Sequence, residues 1–197
     1  MKTTVFSTHK FEDHHLISAN NGKHKLNLLK VRLTENTASL AEGSEAISLF
    51  TSDEASAKAL KKLSVLGIKF IALRTAGYNN VATEKAGELG IKVSRVPDYS
   101  PFALAEHTIL VDTKTGKIGY FGMDVYEEEE GLFFEDHSDE ILQDDVIARL
   151  MTFNNVLITS HQAFLTDTAL TNIADTTIYN LDCFEKQIDS GNEIASN

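Results

Sequence analysis

Apolar positions in the first hundred residues gather in short runs at 3–7, 25–31, 46–50, 68–73 and 92–96, each with strand character. Helical spacing fills most of the gaps between them. Ser52-Asp53 offers a cap for a helix reaching about Leu66, with Gly67 as its stop. Thr83 opens a shorter helix that Gly90 closes. Repeated β–α–β units with right-handed crossovers predict an α/β domain, a doubly wound parallel sheet with helices on both faces.

Ser100-Pro101 starts a further helix, SPFALAEHTIL, running to about Leu110. There the pattern breaks. Residues 111–119 (VDTKTGKIG) have no clear period, YFGMDVY is β-like, and a short helix is expected around 145–151. Alternation resumes with a strand at 155–160 (NVLITS) and a helix at about 166–186. That helix spaces Ala169, Leu170, Ile173, Ala174, Ile178, Leu181 and Phe184 at intervals of three and four. The chain therefore reads as an α/β domain in two pieces around an irregular stretch.

Composition narrows the function classes. The 197 residues are 42% apolar and 24% charged, enough for one domain with a proper core. No apolar run approaches the roughly 18 residues a membrane helix needs. MKTTVFSTHKFED has no apolar core of the signal-peptide kind. The single cysteine, Cys183, suits a reducing, cytoplasmic location. The net charge of −11 is local: eleven carboxylates lie between Asp124 and Asp145 with no Lys or Arg among them. Removing them leaves 18 acidic residues, matching the 18 Lys and Arg. The balance elsewhere leaves no basic stripe for nucleic acid, and most of the acidic block reads as a solvated loop.

Two places can carry chemistry. The segment 74–80 (RTAGYNN) follows the fourth strand directly, at the edge where open α/β sheets bind ligands. Its small residues let backbone N–H groups approach an anion, although Gly and Asn equally make a plain strand-to-helix turn. His161 stands at the carboxyl end of NVLITS, where a carboxylate partner would turn a structural histidine into an acid/base group. His14 and His15 belong to the surface of an early helix. No metal-ligand spacing occurs, so no metal is expected. Gly116-Lys117-Ile118-Gly119 imitates half of a dinucleotide fingerprint, but Lys114 replaces the first glycine and no strand precedes it.

Four phrases, IALRTAGYNNV, ELGIKVSRVPDYSPFALAEHT, GMDVYEEEEGLFFEDHSDEILQDDV and NVLITSHQAFLTDTALTNIADTT, together resemble the NAD-dependent D-2-hydroxyacid dehydrogenases, and closely their D-lactate branch. The resemblance implies a flavodoxin-like substrate domain built from both chain ends, at 1–110 and 151–197. In that family a Rossmann NAD-binding domain is inserted after the AEHT helix. Here AEHTIL runs almost at once into VDTKTGKIGYFGMDVYE, so 111–150 is expected to be a remnant of an excised domain plus the acidic loop. The resemblance makes His161 the general acid/base and Glu129 the carboxylate that raises its pKa. It assigns the substrate carboxylate to the N–H groups of Ala76 and Gly77, and the pocket wall to Tyr99 and Phe164.

The departures carry as much weight. The family's substrate-pairing arginine is replaced by Ile109-Leu110, and the glycine-rich NAD loop is missing. No bound cofactor is expected, although the intact family uses NAD, and the chain is expected to be catalytically silent alone. Three functions remain open: a silent substrate domain with weak affinity for small 2-oxo or 2-hydroxy acids, a minimal oxidoreductase completed by domain swapping, and a flavodoxin-like binding or structural module. A strand at 120–125 that has lost its sheet is expected to expose apolar residues, and hence to form a homodimer through 111–126.

Overall fold

The computed structural model describes residues 1–97, 120–125 and 145–194. The expected helix at 100–110, the GKIG decoy and acidic residues 126–144 lie outside the described residues, as does most of the 111–126 dimer segment. The chain divides into two compact units, Met1–Tyr99 with Asp167–Asn197, and Ser100–Thr166.

The first unit is a five-stranded parallel sheet. Its strands are β1 (Lys2–Val5), β2 (Lys25–Leu28), β3 (Ala46–Leu49), β4 (Phe70–Leu73) and β5 (Lys92–Ser94), in the order β2-β1-β3-β4-β5. This is the flavodoxin-like order, in which the strand order reverses between β1 and β3. The helices are α1 (Lys10–Asn20), α2 (Ala57–Val65), α3 (Thr83–Glu88) and a long terminal helix, Asp167–Glu185. Period-two alternation places Ile47, Leu49, Ile71, Leu73 and Val93 against α2 and α3, with Leu60, Leu63 and Ala86. The opposite face sets Val5, Ala46, Phe70 and Ala72 against α1 and the terminal helix, through Leu16, Ala174, Ile178 and Leu181. Both faces are covered, which is why the strands read as near-continuous apolar runs. At the β5 edge, Ser94 bridges Glu193 and the Ile194 N–H donates to Val93 O at 2.8 Å.

Helix starts depart from the local signal in one place. Ser52-Asp53 does not cap α2, which begins four residues later behind Ser56. The Asp53 carboxylate turns inward instead. It accepts the N–H groups of Leu33 and Phe50, each at 2.6 Å, and the Ser7 hydroxyl at 2.7 Å. Burial pushes the Asp53 carboxyl above its usual range, against those hydrogen bonds and the Arg74 charge. Gly67 and Gly90 close their helices at φ +89° and +69°, as expected of glycine. On α1, His14 is exposed and His15 reaches the Thr171 hydroxyl at 3.2 Å.

In the second unit, β6 (Phe121–Met123) pairs in parallel with β7 (Val156–Ile158), and α4 (Asp145–Leu150) precedes β7. The terminal helix is therefore α5. Two expectations are corrected here. The strand at 120–125 has a partner, and NVLITS builds its ladder on β6 rather than on the five-stranded sheet. The two compact units divide the sequence at 99/100 and 166/167, and the expected junction near residue 110 lies outside the described residues. No helix among the described residues is long and apolar enough to cross a membrane.

Arg74 ties the first unit together. It is 1% exposed, and its guanidinium bonds both Glu12 oxygens (2.9 and 3.2 Å), the Phe6 and Ser7 carbonyls (2.8 and 3.2 Å) and Ser48 Oγ (3.1 Å). Removing one partner of such a pair strands a buried charge. Glu12→Ala is expected to lower unfolding free energy by about 3–5 kcal/mol with an unchanged m value in urea titration.

Candidate functional site

The turn after β4 is shaped by the segment after β5. The Val96 N–H donates to Thr75 O at 3.1 Å, Arg95 Nη1 donates to Ala76 O at 3.0 Å, and Thr75 Oγ1 donates to Gly77 O at 2.7 Å. In a trans peptide the C=O and the following N–H point in opposite directions. Holding Thr75 O and Ala76 O therefore turns the N–H groups of Ala76 and Gly77 away from residues 95–96. Among the described residues neither N–H has an acceptor. Ala76 is half-buried, Gly77 is exposed, and a Cβ at Gly77 would meet nothing within 4 Å. Two adjacent backbone donors of this kind are the type of group that can hold a small anion such as a carboxylate.

His161 is positioned by different means. Ser160 and His161 both take left-handed backbone, at φ +53° and +54°. Neither is glycine, so each costs on the order of 1–3 kcal/mol and must be held in place. Asp124, only 6% exposed, does the holding. Its carboxylate accepts the Thr159 hydroxyl at 2.5 Å, the Gln162 N–H at 2.8 Å and the Ala163 N–H at 3.0 Å, while its carbonyl accepts the His161 N–H. Phe164, itself buried, presents its ring edge-on to the imidazole with centroids 6.4 Å apart.

Ala76 and Gly77 thus share one turn in the first unit, and His161 and Phe164 share one turn in the second. Tyr99 and Glu129 lie outside the described residues. Two residues escaped the sequence reading. Asp124 stands at the head of an acidic block that reads as solvated, yet its carboxylate is buried. Arg95 carried no signal beyond its place directly after a strand. No cluster of three or more His, Cys, Asp or Glu able to hold a metal exists among the described residues.

Residues 5–195 match the family described as D-isomer specific 2-hydroxyacid dehydrogenase, catalytic domain. A 2-hydroxyacid dehydrogenase homolog of Haemophilus influenzae is 31% identical over 316 aligned positions, covering 92% of this chain and 95% of that protein. The chain belongs to this family. The D-lactate dehydrogenase of Escherichia coli is similar at 29% identity, covering 98% of this chain and all of the relative. A solved D-lactate dehydrogenase of Salmonella shares 28% identity with a TM-score of 0.83, covering 99% of this chain and 100% of that one.

Members of the family normally use NAD. Among the described residues, the β1–β3 crevice of the first unit does not fit its pyrophosphate. At the β1–β3 crevice the Ser7 and Thr8 N–H groups, which a pyrophosphate would need, donate to Val31 O and Leu29 O at 3.0 and 2.9 Å. The Asp124 turn yields a direct test. Asp124→Ala leaves buried donors unsatisfied and is expected to cost about 1–3 kcal/mol locally. It should raise amide hydrogen exchange at Gln162 and Ala163 while leaving Ile47 and Ile71 protected.

Proposed function

We propose that this chain is the substrate domain of a D-lactate or related D-2-hydroxyacid dehydrogenase from which the NAD-binding domain is absent. It binds the carboxylate of a small 2-oxo or 2-hydroxy acid on the Ala76 and Gly77 N–H groups and does not turn it over alone. The observation that carries this reading is the turn after β4: three successive carbonyls are tied down and, among the described residues, the two neighbouring N–H groups have no acceptor. The absence of an inserted domain is supported by the sequence, in which AEHTIL is followed directly by VDTKTGKIGYFGMDVYE.

Reducing a 2-oxo acid takes one hydride to the carbonyl carbon and one proton to its oxygen. On this reading His161 supplies the proton, held by the Asp124 turn, with Glu129 assigned as its carboxylate partner and Tyr99 and Phe164 as the pocket wall. Nothing among the described residues orients a hydride donor, and the family's arginine has no counterpart before Val111. Positioning is the larger part of such catalysis, so a proton donor alone gives no net reduction.

NADH oxidation by the purified chain with pyruvate, run beside His161→Ala, tests the reading. The expected result is no turnover above the variant. Turnover that disappears with His161→Ala would contradict a silent domain and favour an oxidoreductase completed by a second copy.

A further inference from the structure

We infer that Arg95 is a positioning residue for acid binding: it aims the Ala76–Gly77 peptide so that two N–H groups face one carboxylate. The inference rests on the carboxylate reading above and deepens it.

The geometry runs in one direction through the first unit. Asn180, on α5 and fully buried, donates from Nδ2 to the Arg95 carbonyl at 3.0 Å. Its own Oδ1 accepts Asn192 Nδ2 at 2.9 Å, and the Asn192 carbonyl accepts the Arg95 N–H at 3.1 Å. The backbone of Arg95 is thereby fixed from both sides by the terminal helix and the segment after it. From that fixed base the guanidinium reaches Ala76 O at 3.0 Å and lies 5.6 Å from the centre of the Tyr78 ring. The flat cation thus grips the turn at both ends, by a charge-assisted hydrogen bond at Ala76 and a cation–π contact at Tyr78.

The consequence follows from peptide planarity. The Ala76 carbonyl and the Gly77 N–H belong to one rigid plane, so pulling the oxygen toward residue 95 pushes the N–H to the opposite side. The adjoining plane, Thr75 C=O and Ala76 N–H, is held the same way by the Val96 N–H. Without the guanidinium, the Ala76–Gly77 plane can rotate. The Gly77 side meets nothing within 4 Å that would resist. The two donors would then no longer converge. A lysine in place of Arg95 can still donate to Ala76 O but loses the planar stack on Tyr78.

The experiment uses the full chain, comparing the parent with Arg95→Ala and Arg95→Lys. Backbone 15N relaxation reads the order of Ala76, Gly77 and Tyr78, and pyruvate titration followed at the same amides reads affinity. Unchanged Ile47 and Ile71 signals certify the fold. In Arg95→Ala the Gly77 order parameter is expected to fall from about 0.85 to below about 0.6. Pyruvate should bind at least about tenfold more weakly, and Arg95→Lys should recover most of both. An Arg95→Ala chain with an equally ordered Gly77 and equal affinity overturns the inference. A parent chain that fails to bind pyruvate overturns the carboxylate reading instead, while a fall in Gly77 order on losing Arg95 still supports its hold on the peptide.

Discussion

The Arg74 guanidinium has left water entirely, and its charge is met by Glu12 through two hydrogen bonds and by three further acceptors on the chain after β1 and on β3. Burying a charge is unfavourable unless it is paired and hydrogen-bonded, so the surrounding backbone is constrained to supply those acceptors. That constraint joins α1, β1, β3 and β4 at the carboxyl edge of the sheet. Arg74 is also the residue directly before the Thr75-Ala76-Gly77 turn. The turn inherits a fixed starting point from the ion pair and a fixed direction from residues 95–96. Its carbonyls are held and its N–H groups are left over.

The candidate residues fall in both compact units, and each group has its own local frame. The first unit carries the Thr75–Gly77 turn, whose proposed role in holding an anion needs only backbone donors and a rigid frame. The second carries His161 on two consecutive left-handed residues, a conformation that persists because the Asp124 carboxylate takes up the turn's hydroxyl and N–H groups. Strain of this kind, compensated by one buried carboxylate, places a titratable ring at a strand end with little freedom. At the β1–β3 crevice the Ser7 and Thr8 N–H groups are already taken by the Val31 and Leu29 carbonyls. The proposed roles in acid binding and proton transfer thus rest on two turns, each fixed by hydrogen bonds within its own unit.

Much of the fold was readable because it rests on local pattern. The five strands of the main sheet and the long terminal helix follow from period-two and period-3.6 spacing, and Gly67 and Gly90 mark real stops. What escaped depends on partners far away in sequence. Ser52-Asp53 carries the local signature of a cap, but the acceptors of Asp53 are drawn to Ser7 and Leu33, which no local pattern announces. NVLITS reads as a strand, yet which ladder it joins is settled by pairing with Phe121–Met123. Asp124 is hidden among ten other carboxylates, and only the turn folded over it sets it apart. Ala76 and Gly77 were identified through family resemblance. Their N–H groups are available because Arg95 and Val96, some twenty residues on, hold the carbonyls, and no local pattern announces that contact.

A crystal structure of the chain with pyruvate bears most directly on the function argued here. The carboxylate is expected to sit over the β4 turn, with its oxygens about 2.7–3.2 Å from the Ala76 and Gly77 nitrogens. Pyruvate held elsewhere, or no pyruvate at saturating concentration, would contradict the account.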